Sequence, residues 1–467
     1  MAAVESQSYP LFDAASLARW LASGSSPGLS PSEIDAAMAE AACRVVTYLA
    51  PRARRVGILA GGGGNGRQAR ALAEHYRPLG MQVLLMTPTK PPGIEDLRSC
   101  TVLVDGLIGT GLQGPLSGPY RDLVGAAQAS GRPIVALDGP TGLDLDRGGA
   151  QEGALRASCT IFCGAPKIGA FTGSGPEFCG ETMIAEGGVS TREVVPRGVV
   201  PGLSVLAALK PARPRHLHKD QAGALAIVGG DIGMPGAVRL AASAAFRVGA
   251  GLVMAAVHES HAGALAAACP ELMAYPRPLN EALLARARCL VVGSGLGRRD
   301  FGRDAWSSVR AMPRPLVVDG DALYWLAQEP EYRTNWILTP HEGEAARLLG
   351  VSRPDIARDR PGAADALQGR YGGVCVLKGA GTLIASGDPL WLCPWGNPGM
   401  ATAGMGDVLA GVIAGLVAQG LSLVDAARLG VFVHAGAGDR AAAQIGSVGL
   451  LASDVVACLP SALSALC

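Results

Sequence analysis

Aromatic residues make up only 4% of this chain and charged residues only 17%, against 49% hydrophobic. A core assembled from such residues has to be aliphatic and alanine-rich, and the composition is that of a well-buried globular protein. Long runs of like charge are missing, and the formal net charge is +1. That removes the electrostatic reason to expect nucleic acid or a membrane as partner and points to a small-molecule ligand. None of the 11 cysteines forms a C-x-x-C pair, and Cys159 and Cys163 have no neighbouring histidine to complete a zinc set. They read as reduced core residues. The opening "MAAVESQSYPLFDAASLARW" lacks the basic and apolar regions of a secretory signal, so a cytoplasmic location is expected. The longest apolar stretch, Val408 to Val424, is broken by Gln419 and Ser422 and follows Asp407 directly. It reads as a buried helix rather than a membrane span, with Gly411 and Gly415 allowing another element to pack closely.

What is present is alternation. At 467 residues the chain is long enough for two domains. From Arg55 to Val135, short β-branched runs such as "RVGILA", "MQVLLM" and "CTVLVDG" alternate with helical stretches such as "RQARALAEHYRPLG". The pattern restarts after Lys210 with "GALAIVGG", "LVMAAV", "CLVVGSGLG", "PLVVDGD", "NWILTP" and "GVCVLKGAG". Strands separated by helices imply parallel sheets covered on both faces, so the fold class is α/β in both halves. The proline-rich, basic stretch "VVPRGVVPGLSVLAALKPARPRH" is the expected joint, giving domains 1–209 and 210–467.

The densest motif of the second half is "GNPGMATAGMGD", which runs into "VLAGVIAGLVAQGL". Glycines let backbone N–H groups approach an anion, and a helix start adds unpaired donors and partial positive charge. An anion cradle with Asp407 as a base beside it is one reading; a glycine turn with Asp407 as a plain N-cap is the other. The lysine that ends a Walker A loop is absent. Lys378 in "VLKGAGT" could neighbour a phosphate or be merely solvated. His341 in "TPHEGE" could meet a substrate carbonyl or cap the helix beginning near Glu342. In the first half, "VDGLIGTGLQGPLSG" and "ALDGPTGLDLDRG" each place an aspartate, Asp105 and Asp138, at a strand end, followed by glycines and by Thr110 or Thr141. Oxygen ligands from adjacent strand ends suit a hard cation or a sugar hydroxyl; helix capping is the alternative.

The second half resembles the ADP/ATP-dependent NAD(P)H-hydrate dehydratases of the ribokinase-like superfamily. The resemblance runs in order from "HKDQAGALAIVGGDIGMPGAVRLAASAAFRVGAGLV" through "VGSGLG", "LTPHEGEAARLLG", "VLKGAGT" and "GNPGMATAGMGDVLAGVIAGLVAQG" to "GLLASDVVACLP". It implies that Lys378, Gly379, Ala380, Gly381 and Thr382, with Gly404 and Gly406, contact ADP or ATP. It also implies that Ala237, Gly295, Gly297, His341 and Asn397 contact the hydrated dinucleotide, that Asp407 is catalytic, and that Mg2+ accompanies the phosphates. Met405 stands where serine is common, and Glu342 where proline is.

The first half, about 9–200, resembles the Rossmann-like NAD(P)H-hydrate epimerases, with "FCGAPKIGAFTGSGPEFCGETMIAEGGV" as its characteristic end. The resemblance implies a potassium ion, K+, on Asn65, Asp105 and Thr141. It implies substrate phosphates on the 109–115 loop, including Gly109, Thr110, Gly111 and Leu112, and Asp138 as acid/base or orienting carboxylate. Where that family reads G-P-G-N-N-G-G-D-G, this chain has "GGGGNGRQA", so Gly64, Arg67 and Gln68 depart from the pattern. A working epimerase and a non-catalytic support for the second half are both compatible with those changes. Together the resemblances imply repair of hydrated NADH and NADPH (NADHX and NADPHX) by a homo-oligomer. A ribokinase-like kinase acting on a vitamin precursor is the rival.

Overall fold

The computed structural model describes residues 7–22, 30–110, 114–185, 191–278, 281–387 and 389–466. The chain divides into two compact units. One holds Pro10–Gly198 with Ala357–Arg360, and the other holds Val199–Ile356 and Pro361–Cys467 with the start of the chain up to Tyr9.

The first unit is built on a six-stranded sheet. Its strands lie in the order Gln82–Met86, Arg55–Ala60, Val102–Gly106, Ile134–Leu137, Cys159–Cys163 and Glu181–Ala185, all parallel. Val102–Gly106, Ile134–Leu137 and Cys159–Cys163 are buried along their whole length, as expected of parallel strands covered on both faces. The glycine run after Arg55–Ala60 opens the helix Gly64–Tyr76, with Gly63 as N-cap. A short 3-10 turn extends that helix until Gly80 ends it in the left-handed conformation, at φ 72°, a cheap geometry only for a residue without a Cβ.

The second unit carries a longer sheet. Its parallel part runs Met273–Pro276, Leu252–Val257, Ala224–Val228, Cys289–Val292, Leu316–Val318, Trp336–Leu338 and Val374–Leu377. Thr382–Ala385 and Leu390–Cys393 then continue it antiparallel. The apolar run of the sequence is the helix Met405–Ala418, buried from Val408 to its end. It crosses the helix Pro235–Arg247 so closely that a Cβ on Gly411 would lie 2.1 Å from the carbonyl oxygen of Ala241. Among the described residues no helix is long and apolar enough to cross a membrane.

Candidate functional site

A cavity of about 1040 Å³ opens in the second unit where strands meet the turns that follow them. Gly293 follows Cys289–Val292, Asp319 follows Leu316–Val318, and Lys378 follows Val374–Leu377. This is where an open α/β sheet presents its ligand site. The opposite wall is the start of the Met405–Ala418 helix: Gly404, Met405, Gly406 and Asp407 all line the cavity. Gly404 is the N-cap at φ 91°, with no side-chain cap. The reading of Asp407 as a simple N-cap therefore fails. Its carboxylate sits in the first helical turn, and among the described residues no side chain caps the first amides of the helix.

The charged groups of this wall act on one another. Lys378 Nζ donates to Asp319 Oδ1 at 2.7 Å and lies 3.7 Å from Glu344 Oε2. Burial pushes the ammonium down, but Asp319, Glu344 and Asp407 outweigh it and hold Lys378 above its ordinary value. Burial lifts the Asp407 carboxyl to about 6; Asp319 adds to the rise, while the Ser294 hydroxyl and Lys378 oppose it. Glu344 is lifted to about 7, again chiefly by burial, with Lys378 opposing and Asp319 reinforcing. Asp319 is 4% exposed and also accepts from Thr339 Oγ1 at 2.7 Å, so its orientation is set from both sides. Lys378 is a half-buried, paired member of this network, not a solvated side chain.

His341 both caps and faces the cavity. Its Nδ1 accepts from the amides of Gly343 at 2.9 Å and Glu344 at 3.3 Å, and Glu344 Oε2 accepts the His341 amide at 2.8 Å. That reciprocal box at the start of Glu342–Leu349 requires an unprotonated Nδ1. Burial and Lys378 hold the imidazole below its ordinary value, in keeping with a neutral ring. Ala237, Gly295 and Gly379 also line the cavity.

Other expected residues stand off the wall. The Gly297 amide donates to Asp321 Oδ2 at 3.1 Å. Asn397 is bound locally: its Oδ1 accepts from Gly399 N at 3.0 Å and its Nδ2 donates to Asp439 Oδ1 at 2.9 Å. Ala380, Gly381 and Thr382 lie beyond Gly379, with Thr382 Oγ1 donating to the Gly379 carbonyl at 3.0 Å. The wall also holds Asp319, Asp321 and Glu344, which follow apolar strands, and Arg353, which motif reading did not single out. The strand-end run "LVVDGDAL" carried the signal for the first two.

The first unit has a smaller cavity of about 560 Å³, lined by Gly63, Gly64, Asn65, Gly109, Thr110 and Tyr120, among others. Gly111 and Leu112 lie outside the described residues. A Cβ on Gly109 would fall 2.4 Å from Asn65 Oδ1, so the close approach depends on glycine. Asp105 is 1% exposed. It accepts from Thr141 N at 2.8 Å, Thr141 Oγ1 at 2.8 Å and Leu107 N at 3.1 Å. Burial lifts its carboxyl to about 6 against those bonds. The fold thus brings Asp105 and Thr141 into contact and places Asn65 against the same turn.

Asp138 is not on the wall of that cavity. It follows Leu137, whose carbonyl accepts Asn65 Nδ2 at 2.6 Å, and it is the non-glycine residue with positive φ, 58°, among those described. Its Oδ1 accepts from Cys163 N at 2.9 Å and from Lys167 Nζ. Arg67 turns away to grip Asp35, with Nε at 2.6 Å from Oδ2 and Nη2 at 3.3 Å from Oδ1. Its guanidinium is absent from the cavity wall. Gln68 is 7% exposed.

The profile of the family described as NAD(P)H-hydrate dehydratase matches residues 225–461, and that of the YjeF-related protein N-terminus matches 87–169. The chain is 39% identical over 465 residues to the bifunctional NAD(P)H-hydrate repair enzyme of Coxiella burnetii, covering 92% of this chain and 94% of that protein. To the corresponding Escherichia coli enzyme it is 36% identical over 461 residues, covering 92% and 89%. Among solved structures, an ADP/ATP-dependent NAD(P)H-hydrate dehydratase from Bacillus subtilis, co-crystallized with ATP/Mg2+, is 27% identical. It superimposes with a TM-score of 0.51 over 56% of this chain and 97% of that one. A ribokinase-like superfamily protein from Enterococcus faecalis gives 27% identity and a TM-score of 0.52, covering 58% and 96%.

Proposed function

Because this chain belongs to the family of bifunctional NAD(P)H-hydrate repair enzymes, we propose that it restores hydrated NADH and NADPH. On this reading the unit ending at Gly198 interconverts the R and S hydrates. The unit beginning at Val199 dehydrates the S form at the expense of ADP, releasing AMP and phosphate.

The observation that carries the reading is Asp407, a carboxylate lifted to about 6 beside a glycine-capped helix start with no side-chain cap. Phosphate on the amides of Gly406 and its neighbours would be met by the helix dipole. Asp407 then accepts the proton of the C6 hydroxyl as that oxygen attacks the β-phosphorus of ADP, and the bond to AMP breaks. The lone pair of the ring nitrogen expels the new phosphate from C6, and a proton leaves C5 to restore the double bond. Lys378 and the Gly379–Thr382 turn serve the nucleotide, while Ala237, Gly295, Gly297, His341 and Asn397 serve the dinucleotide. Asn397 acts through its hold on Asp439.

Among the described residues no group of three or more His, Cys, Asp or Glu side chains forms a metal cage. The wall carboxylates fit a Mg2+ shared with the nucleotide's phosphates, whose charge it would offset. In the first unit, the oxygens of Asn65, Asp105 and Thr141 fit a hard monovalent cation such as K+. It would offset the buried charge of Asp105. We assign the protein to the cytoplasm and to a homo-oligomer. The free, mostly buried cysteines support a reducing compartment.

The test supplies both epimers of hydrated NADH with ADP and magnesium and follows recovery of absorbance at the reduced-nicotinamide band. Complete conversion faster than spontaneous epimerisation supports two working sites. Conversion that stops at the S fraction leaves only the dehydratase, and no conversion favours a kinase.

A further inference from the structure

One charged pair of the first unit, off the wall of its cavity, is left unexplained. Lys167 is 1% exposed, among the largest fully buried side chains of the molecule. Its Nζ donates to Asp138 Oδ1, lies 3.3 Å from the Cys163 carbonyl and sits 5.4 Å from the centre of the Phe162 ring. Burying an ammonium costs several kcal/mol unless it is well paired, and an apolar residue could fill the same space. The pair therefore needs a reason beyond packing.

Both recorded bonds to the Asp138 carboxylate, from Lys167 Nζ and Cys163 N, fall on Oδ1. Oδ2 has no partner among the described residues. The backbone of Asp138 is held at φ 58°, a conformation that disfavours a side-chain-bearing residue and persists where its surroundings over-determine it. Its neighbour Leu137 is tied through its carbonyl to Asn65, which does line the cavity.

We propose that Lys167 is a positioning residue for epimerisation: its ammonium pins Oδ1 of Asp138 so that Oδ2 is the oxygen presented to the hydrate. Lys167 does not touch substrate and acts only through Asp138. The inference rests on reading Asp138 as the acid/base or orienting carboxylate of epimerisation. A purely structural ion pair would join the ends of Ile134–Leu137 and Cys159–Cys163 and have no kinetic signature of its own.

The experiment uses the full chain without ADP, so that the S form is not consumed, and follows R-to-S conversion of hydrated NADPH on a chiral column. Lys167→Met is expected to lower kcat at least about tenfold while KM stays within about twofold, the mark of a misaligned acid/base group. In the Asp138→Asn background the same change is expected to alter the rate by less than about twofold, because the partner through which it acts is already gone. Dehydration of the S hydrate with ADP is expected to be unchanged in every variant. If Lys167→Met does not fold, Lys167→Gln replaces it, with the same loss expected. A wild-type epimerisation rate in the folded Lys167 variant overturns the proposal, and so do losses that multiply in the double variant. Full activity in Asp138→Asn alone would instead overturn the role of Asp138 itself, a separate failure.

Discussion

Lys378 Nζ lies 2.7 Å from Asp319 Oδ1, and both groups act electrostatically on Asp407 across the same cavity wall. Asp319 raises the Asp407 carboxyl and Lys378 lowers it, on top of the larger effect of burial, which places it at about 6. A base must be ionised to work, so dehydration is expected to fall away as pH drops through that value. Asp319→Asn removes one upward contribution and should move this acidic limb to lower pH. Glu344, at about 7, titrates in the same cluster, so the limb belongs to the group. The pH dependence of kcat in the two proteins checks it; an unmoved limb contradicts the coupling.

Asp407→Asn is expected to abolish turnover, by at least about 100-fold, while AMP still binds. It should also stabilise the fold. A carboxyl raised on folding contributes stability below its ordinary value near 3.8 and loses it as pH rises through about 6. The neutral amide escapes that loss, so the variant should gain roughly 1–3 kcal/mol over the native protein above that pH and nothing in acid. Urea unfolding in acid and at neutral pH measures this, and a variant no more stable at neutral pH rules out a destabilising Asp407 carboxylate.

Asp138→Ala should slow interconversion of the two hydrates and leave dehydration of the S hydrate untouched. Separate assays of each half-reaction decide it. Loss of both would mean that the two units do not act independently.

Gly411→Val should unfold the second unit or cost it several kcal/mol. The new Cβ would meet the Ala241 carbonyl oxygen at 2.1 Å, and backbone cannot yield as a side-chain tip can. Calorimetric melting of this variant beside Gly411→Ala reads the effect; a normal melting temperature for both would contradict the close crossing of the two helices.

Much of this was legible in the sequence because it is local. Alternation of β-branched runs with alanine-rich stretches fits Val102–Gly106, Ile134–Leu137 and Cys289–Val292, since a parallel strand buried on both faces must be mainly apolar. Gly404 announced a helix start, because only a residue without a Cβ takes φ 91° cheaply. Gly411 and Gly415 announced a close helix crossing.

Other features could not be read there. Arg67 looked like a new cation in the first site, but its partner Asp35 is 32 residues away in sequence. The hold of Asn397 on Asp439, 42 residues on, was equally invisible.

The sequence by itself determined which turns carry glycine, carboxylate and lysine, because backbone freedom and strand burial are properties of short stretches. The tertiary structure alone decided which charges meet. Lys378 finds Asp319 from 59 residues away and Lys167 finds Asp138 from 29. Such pairs form only when strand order brings two turns to the same edge of a sheet. Only then does burial fix how strongly each charge is felt.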